Sequence, residues 1–196
     1  MADSLDPPSG PSDEMQTRLS GLSPVDPFAT PIEERRSDRR FRGHLVAPVT
    51  VWTAASANRR AGLTVSSMLI AEGDPAEVLG LIDPLSSLFD VLVERGCFAI
   101  HVLGTGEQRL AGMFAGAYPL DAFDEVEIAD GEFGPTIPGA RHRLGCHLVG
   151  SEEVGFAMLV RGRVDALEIS PEAAQPLVRY RGRYRKLSAE DRGFLS

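Results

Sequence analysis

The sequence predicts a mainly β fold, an antiparallel barrel with a few short helices. Three observations lead there. Apolar, β-branched runs recur along the chain, at 48–55, 62–68, 76–82, 97–103, 142–149 and 156–169. Only short stretches between them carry helical spacing. The regular strand–helix alternation of a doubly wound sheet is missing.

Taken in order, residues 1–30 are dominated by Pro, Ser, Asp and Gly and bury too little apolar area to offset chain ordering. A disordered N-terminal arm over 1–30 is expected, followed by one domain over 31–196. Pro31 opens a predicted helix over 32–45, whose arginines read as a solvated face partly paired with Glu33, Glu34 and Asp38.

Residues 48–55 form the first strand, and 58–62 supply a polar turn with a glycine. The run 62–68 then alternates. Thr64 and Ser66 fall on one face, and Leu63, Val65 and Ser67 on the other. A third strand is predicted over 76–82.

Residues 86–95 read as a helix with Leu88, Val91, Leu92 and Leu85 on its buried stripe and Gly96 as its stop. A strongly apolar strand follows at 97–103, then a short helix at 107–115 and a mostly loop stretch over 118–140. Two long strands and a closing Arg/Tyr-rich segment complete the chain.

The chain's 196 residues suffice for one full core. The net charge of −8 disfavours non-specific nucleic-acid binding. No apolar run of membrane-spanning length and no secretory leader is read, so a cytoplasmic location is expected. Cys97 and Cys146 lie in apolar strands and read as small buried residues rather than a disulfide. His142, Cys146 and His147 do not converge on one ion in a strand, because His147 points away from the other two. No metal site is therefore assigned. His101 reads as a satisfied core histidine, and Trp52 as a core residue.

The chemistry-bearing stretch is 62–68. Uncharged hydroxyls at a strand end suit a neutral hydrogen-bonding ligand, or a phosphate held by OH and NH donors. Ser86 and Ser87, opening a helix, suit either capping or phosphate contact.

Several segments carry a family resemblance in a shared order. They are Val49-Thr50-Val51-Trp52-Thr53, Gly62-Leu63-Thr64-Val65-Ser66-Ser67-Met68, Asp74-Pro75, Gly96-Cys97-Phe98-Ala99-Ile100-His101-Val102-Leu103, Leu110-Ala111-Gly112-Met113-Phe114-Ala115-Gly116 and Arg181-Gly182-Arg183-Tyr184. Over about 41–187 the chain resembles the flavin reductase-like family with the FMN-binding split barrel. The resemblance implies an antiparallel Greek-key split barrel and a homodimer. It implies an NAD(P)H:flavin oxidoreductase acting on FMN or FAD, with a flavin-dependent monooxygenase receiving the reduced flavin. It further implies that Thr64, Val65, Ser66 and Ser67 line the flavin ring and ribityl chain, and that Asp83, Ser86 and Ser87 stand near the phosphate.

Two departures accompany it. Asp83 replaces the family's usual Asn, and 151–157 lacks the His of the family's Gly-Asp-His run. They leave two other readings open. One is an oxidoreductase using a deazaflavin or another donor. The other is a degenerate, non-catalytic flavin-binding dimer.

Overall fold

The computed structural model describes residues 37–118, 121–140, 142–171 and 175–187. The expected arm over 1–30 lies outside them. The described elements are α1 (Ser37–Arg42), β1 (Ala47–Pro48), β2 (Thr50–Ala55), β3 (Arg60–Val65), β4 (Met68–Ala71), β5 (Glu77–Ile82), α2 (Ser87–Arg95), β6 (Cys97–Val102), α3 (Gln108–Phe114), α4 (Ala122–Glu125), β7 (His142–Val154), β8 (Ala157–Ile169), β9 (Leu177–Tyr180) and β10 (Arg183–Lys186).

Seven strands form one antiparallel sheet in the order β3-β2-β6-β7-β8-β5-β4. Its two edges, β3 and β4, are consecutive in the chain and joined only by Ser66 and Ser67. A two-residue link reaches no more than about 10 Å. The sheet must therefore curl until its edges nearly meet, and the result is a barrel split along one seam. At the seam the Leu81 N–H donates to the Ser67 carbonyl at 3.1 Å. Within the sheet, β6-β7-β8 are sequential neighbours and β5 returns beside β8, which is a Greek-key order. A second sheet, β1-β9-β10, closes the chain.

Alternation along β2 divides the interior into two cores. Trp52 and Ala54 point into the barrel with Val65, Ile82, Phe98 and Ile100, and Leu88, Val91 and Leu92 of α2 plug it. Trp52 stacks on Phe98 with ring centroids 4.9 Å apart, and its Nε1 donates to Thr50 Oγ1 at 3.1 Å. Val49 and Val51 face the other way, onto Leu103, Ala111, Phe114, Ile137 and Leu177. Cys97 and Cys146 are free and buried, and burial pushes the Cys146 thiol up to about 12.

Three expectations need correction. The run 62–68 is not one strand: β3 ends at Val65 and β4 starts at Met68, because the chain crosses the seam there. Leu85 is 61% exposed rather than buried, since it lies in the turn ahead of α2 and not on its stripe. The described part of the 32–45 helix stops at Arg42, where Gly43, His44 and Leu45 take up successive turn hydrogen bonds. The mostly loop stretch over 118–140 also carries the four-residue α4, whose first turn is capped by Asp121 accepting from the Phe123 N–H at 2.9 Å.

Candidate functional site

A cleft of about 330 Å3 opens between β3, the start of α2 and the end of α3. That volume lies at the small end of ligand pockets. Arg60, Gly62 and Leu63 form one wall, and Ser86 and Ser87 another. Met113 to Gly116 and Asp121 to Phe123 complete it, Asp121 being the one carboxylate of the lining.

Glycine at 62 is what leaves room for the aromatic wall. A Cβ there would lie 2.5 Å from Phe114 Cε1 and 3.2 Å from Phe123 Cζ. The two rings meet edge to face at 5.3 Å, so each holds the other in place. Beside them Arg60 brings a cation, paired with Asp130 at 3.1 Å and half exposed.

The sequence-predicted residues divide into two groups around this cleft. Ser86 and Ser87 line it. Ser86 is the N-cap of α2: its hydroxyl accepts from the Phe89 N–H at 3.3 Å and donates to the Asp83 carbonyl at 2.7 Å. Its one hydroxyl proton is thus used locally. Ser87 is exposed in the first helical turn, where backbone N–H groups and the helix dipole favour an anion. The Asp83 carboxylate folds back on its own turn and accepts from the Leu85 N–H at 2.9 Å.

Thr64, Val65, Ser66 and Ser67 are not among the cleft's lining residues. Thr64 Oγ1 donates to the Ala111 carbonyl at 2.7 Å and so ties β3 to α3, which forms the cleft's far wall. Val65 is buried in the barrel core, and its carbonyl accepts from Thr50 Oγ1 at 2.7 Å. Ser67 Oγ donates to the Leu81 carbonyl at 2.8 Å. Ser66, half-buried, is the residue that crosses the seam.

Gly62 falls in the chemistry-bearing stretch 62–68, but Phe114 and Phe123 are not among the candidate site residues of the sequence. The signal available was Phe114, which sits in a segment already quoted for its resemblance. Phe123 lies in what reads as plain loop.

The histidines sort by partner. His101 is wholly buried, with Nδ1 at 3.2 Å from the Val51 carbonyl and Nε2 accepting from the Ile137 N–H at 3.3 Å. Burial lowers its pKa to about 4. His147 Nδ1 lies 2.7 Å from Asp165 on the outer face of the sheet, and Cys146 faces the barrel core. Hydrogen bonds from Arg163 and then His147 hold the Asp165 carboxyl below its usual range.

The family profile described as flavin reductase like domain matches residues 42–188. The chain belongs to this flavin reductase-like family. It is 30% identical over 157 residues to the NADH-dependent FMN reductase AsuE2 of Streptomyces nodosus subsp. asukaensis, covering 78% of this chain and 85% of the relative. The solved structure of Streptomyces globisporus C-1027 NADH:FAD oxidoreductase SgcE6, in complex with NAD and FAD fragments, superposes with a TM-score of 0.73 at 27% identity. The match covers 82% of this chain and 97% of that one. A homologue of nitrilotriacetate monooxygenase component B from Mycobacterium thermoresistibile superposes with a TM-score of 0.75 at 25% identity, covering 82% and 90%.

Proposed function

We propose that this chain is an NADH-dependent flavin reductase, which takes hydride from the nicotinamide and delivers it to FMN or FAD. The observation that carries the reading is family membership over 42–188; the cleft at the start of α2, with serine and backbone donors on one side and an apolar wall on the other, supports it. A bound flavin supplies the hydride-accepting ring, so the protein itself needs no nucleophile or catalytic acid.

What the chain contributes is binding and exclusion of water. Ser87 and the first-turn N–H groups of α2 would hold phosphate, with Ser86 keeping that turn in shape. Phe114, Met113 and Phe123 offer an apolar wall. Thr64, Val65, Ser66 and Ser67 form the seam against which the ring and ribityl chain would lie, with Thr64 and Ser67 fixing the backbone through their own hydrogen bonds. Asp83 is exposed three residues ahead of Ser86, and its negative charge would weaken phosphate binding.

The reduced flavin would pass to a partner monooxygenase in the cytoplasm. The protein would act as a homodimer. Support for a dimer comes from the outer face of β4, β5 and β8. There Leu69 lies directly opposite Leu79, and Leu81 opposite Leu159. Leu69 is 72% exposed and Leu81 40%. Such an apolar cluster on a sheet face suits a second copy of the chain.

The test is flavin titration of the purified protein followed by fluorescence, with NADH oxidation measured in the presence and absence of added FMN. Binding and FMN-dependent turnover are expected. A protein that binds FMN without oxidising NADH would instead be the non-catalytic relative.

A further inference from the structure

A phosphate monoester such as that of FMN carries a charge of about −1.5 to −2 at neutral pH. This chain, at a net −8, opposes such a group by its overall charge. Two carboxylates add to the opposition: Asp121 lines the cleft, and Asp83 lies three residues ahead of Ser86. Ser86 and Ser87 are neutral donors and offset none of that charge. Among the described residues that line the cleft, one carries a positive charge, Arg60.

Its placement follows from β3. Side chains alternate along a strand, so Arg60, Gly62 and Thr64 share one face. Phe114 and Phe123 stand against Gly62 on that face, and Thr64 bonds α3 from it. Arg59, one residue earlier, turns elsewhere: it pairs with Glu94 of α2 at 3.0 Å and does not line the cleft. Arg60 Nη2 lies 3.1 Å from Asp130, 70 residues away in sequence. Asp130 sits in a turn closed by two hydrogen bonds between Ala129 and Thr136, at 2.8 and 2.9 Å. Thr53 Oγ1 fastens that turn to β2 by donating to the Pro135 carbonyl at 2.6 Å. The Asp130 side chain is 91% exposed and that of Arg60 50%. An ion pair so open to water contributes little and is readily exchanged. Asp130 engages a single nitrogen of the guanidinium, whose planar fork of five N–H donors matches phosphate oxygens.

We propose that Arg60 is a specificity-determining residue of the cleft: its guanidinium takes the phosphate of the flavin, so that the cleft selects phosphorylated flavins over riboflavin. The inference rests on the reductase reading and adds to it the cation that the serines do not supply. Asp130 is the counter-ion that the phosphate displaces.

Fluorescence titration of the purified full chain with FMN and, separately, with riboflavin tests it, since the two ligands differ only in the phosphate. The wild type should bind FMN more tightly than riboflavin. Arg60→Gln should lose about ten-fold or more of the FMN affinity at low salt, the worth of a charge-assisted hydrogen bond, and keep the riboflavin affinity. The loss should shrink at high salt. Retained riboflavin binding also reports that the variant's cleft is intact. Arg60→Lys, which restores the charge without the fork, should recover part of the FMN affinity, and Arg59→Gln should leave both affinities unchanged. Three results would overturn the inference and leave the reductase reading standing: equal binding of FMN and riboflavin by the wild type, a loss in Arg60→Gln shared by both flavins, or an equal FMN loss in Arg59→Gln. FMN affinity held in Arg60→Gln while the KM for NADH rises would assign the guanidinium to the dinucleotide's pyrophosphate and overturn it likewise. A wild type that binds neither flavin would overturn the reductase reading and this inference with it.

Discussion

The Ile137 N–H donates to Nε2 of His101 over 3.3 Å, which pins the long loop before β7 onto the middle of the sheet. The opposite ring nitrogen lies 3.2 Å from the Val51 carbonyl, so Nδ1 carries the proton and the ring is neutral. Burial is the main reason the pKa falls to about 4; the Val51 hydrogen bond opposes it and the Arg143 charge adds to it. In the unfolded chain the ring is protonated below pH of about 6.5.

A pH dependence of stability follows. Between those two values the unfolded chain binds the extra proton, so stability drops as the pH falls from about 6.5 towards 4 and is unaffected by this group above that window. The full effect is on the order of 3 kcal/mol at about 1.4 kcal/mol per pKa unit. Urea midpoints measured across the window should fall more steeply in the wild type than in His101→Asn. Equal slopes would mean that His101 does not titrate between the two states.

Ser86 and Ser87 should separate by what they affect. Ser86→Ala removes the α2 cap and should cost about 1 kcal/mol of stability. Ser87→Ala should leave the melting temperature nearly unchanged and weaken FMN binding by roughly three- to ten-fold, the worth of one hydrogen bond. A destabilised Ser87→Ala with unaltered affinity would assign that hydroxyl to the helix instead.

Gly62→Ala should distort the cleft. The added methyl meets the Phe114 ring, which Phe123 keeps from turning aside. A loss of about 1–3 kcal/mol is expected from overpacking, along with weaker flavin binding. Thermal melts and flavin titration of this variant check both, and wild-type values in each would show that the rings yield freely.

Asp83→Asn should strengthen FMN binding at low salt, with the gain shrinking as salt screens the charge. The turn should survive, since an Asn side-chain oxygen can still accept from the Leu85 N–H that Asp83 now holds. Titrations at two salt concentrations test this. Unchanged or weaker binding at low salt would place the carboxylate away from the phosphate.

The barrel was legible because β-branched runs recur and because the core stripe Leu88, Val91 and Leu92 has plain helical spacing before Gly96, whose φ of 74° stops α2. The seam was not. Nothing local to Ser66 and Ser67 says that the strands they join lie at opposite edges of a seven-stranded sheet; that follows from long-range pairing. For the same reason periodicity placed Ser66 and Ser67 on a continuing strand. Ser86 and Ser87 could be read to the cleft because a helix start is a local feature. Phe123 could not, since it reaches the cleft through a four-residue helix inside a loop. The hydroxyls of Thr64 and Ser67 read as ligand donors in sequence, and only tertiary structure supplies the Ala111 and Leu81 carbonyls they bond.

The central claim is tested most directly by following NADH oxidation by absorbance while FMN is added to the purified full chain. Turnover should rise with FMN and saturate, and Ser87→Ala should raise the FMN concentration needed for half-saturation while leaving the melting temperature in place. An NADH oxidation rate that does not change with added FMN or FAD, in a protein shown to be folded, would contradict it.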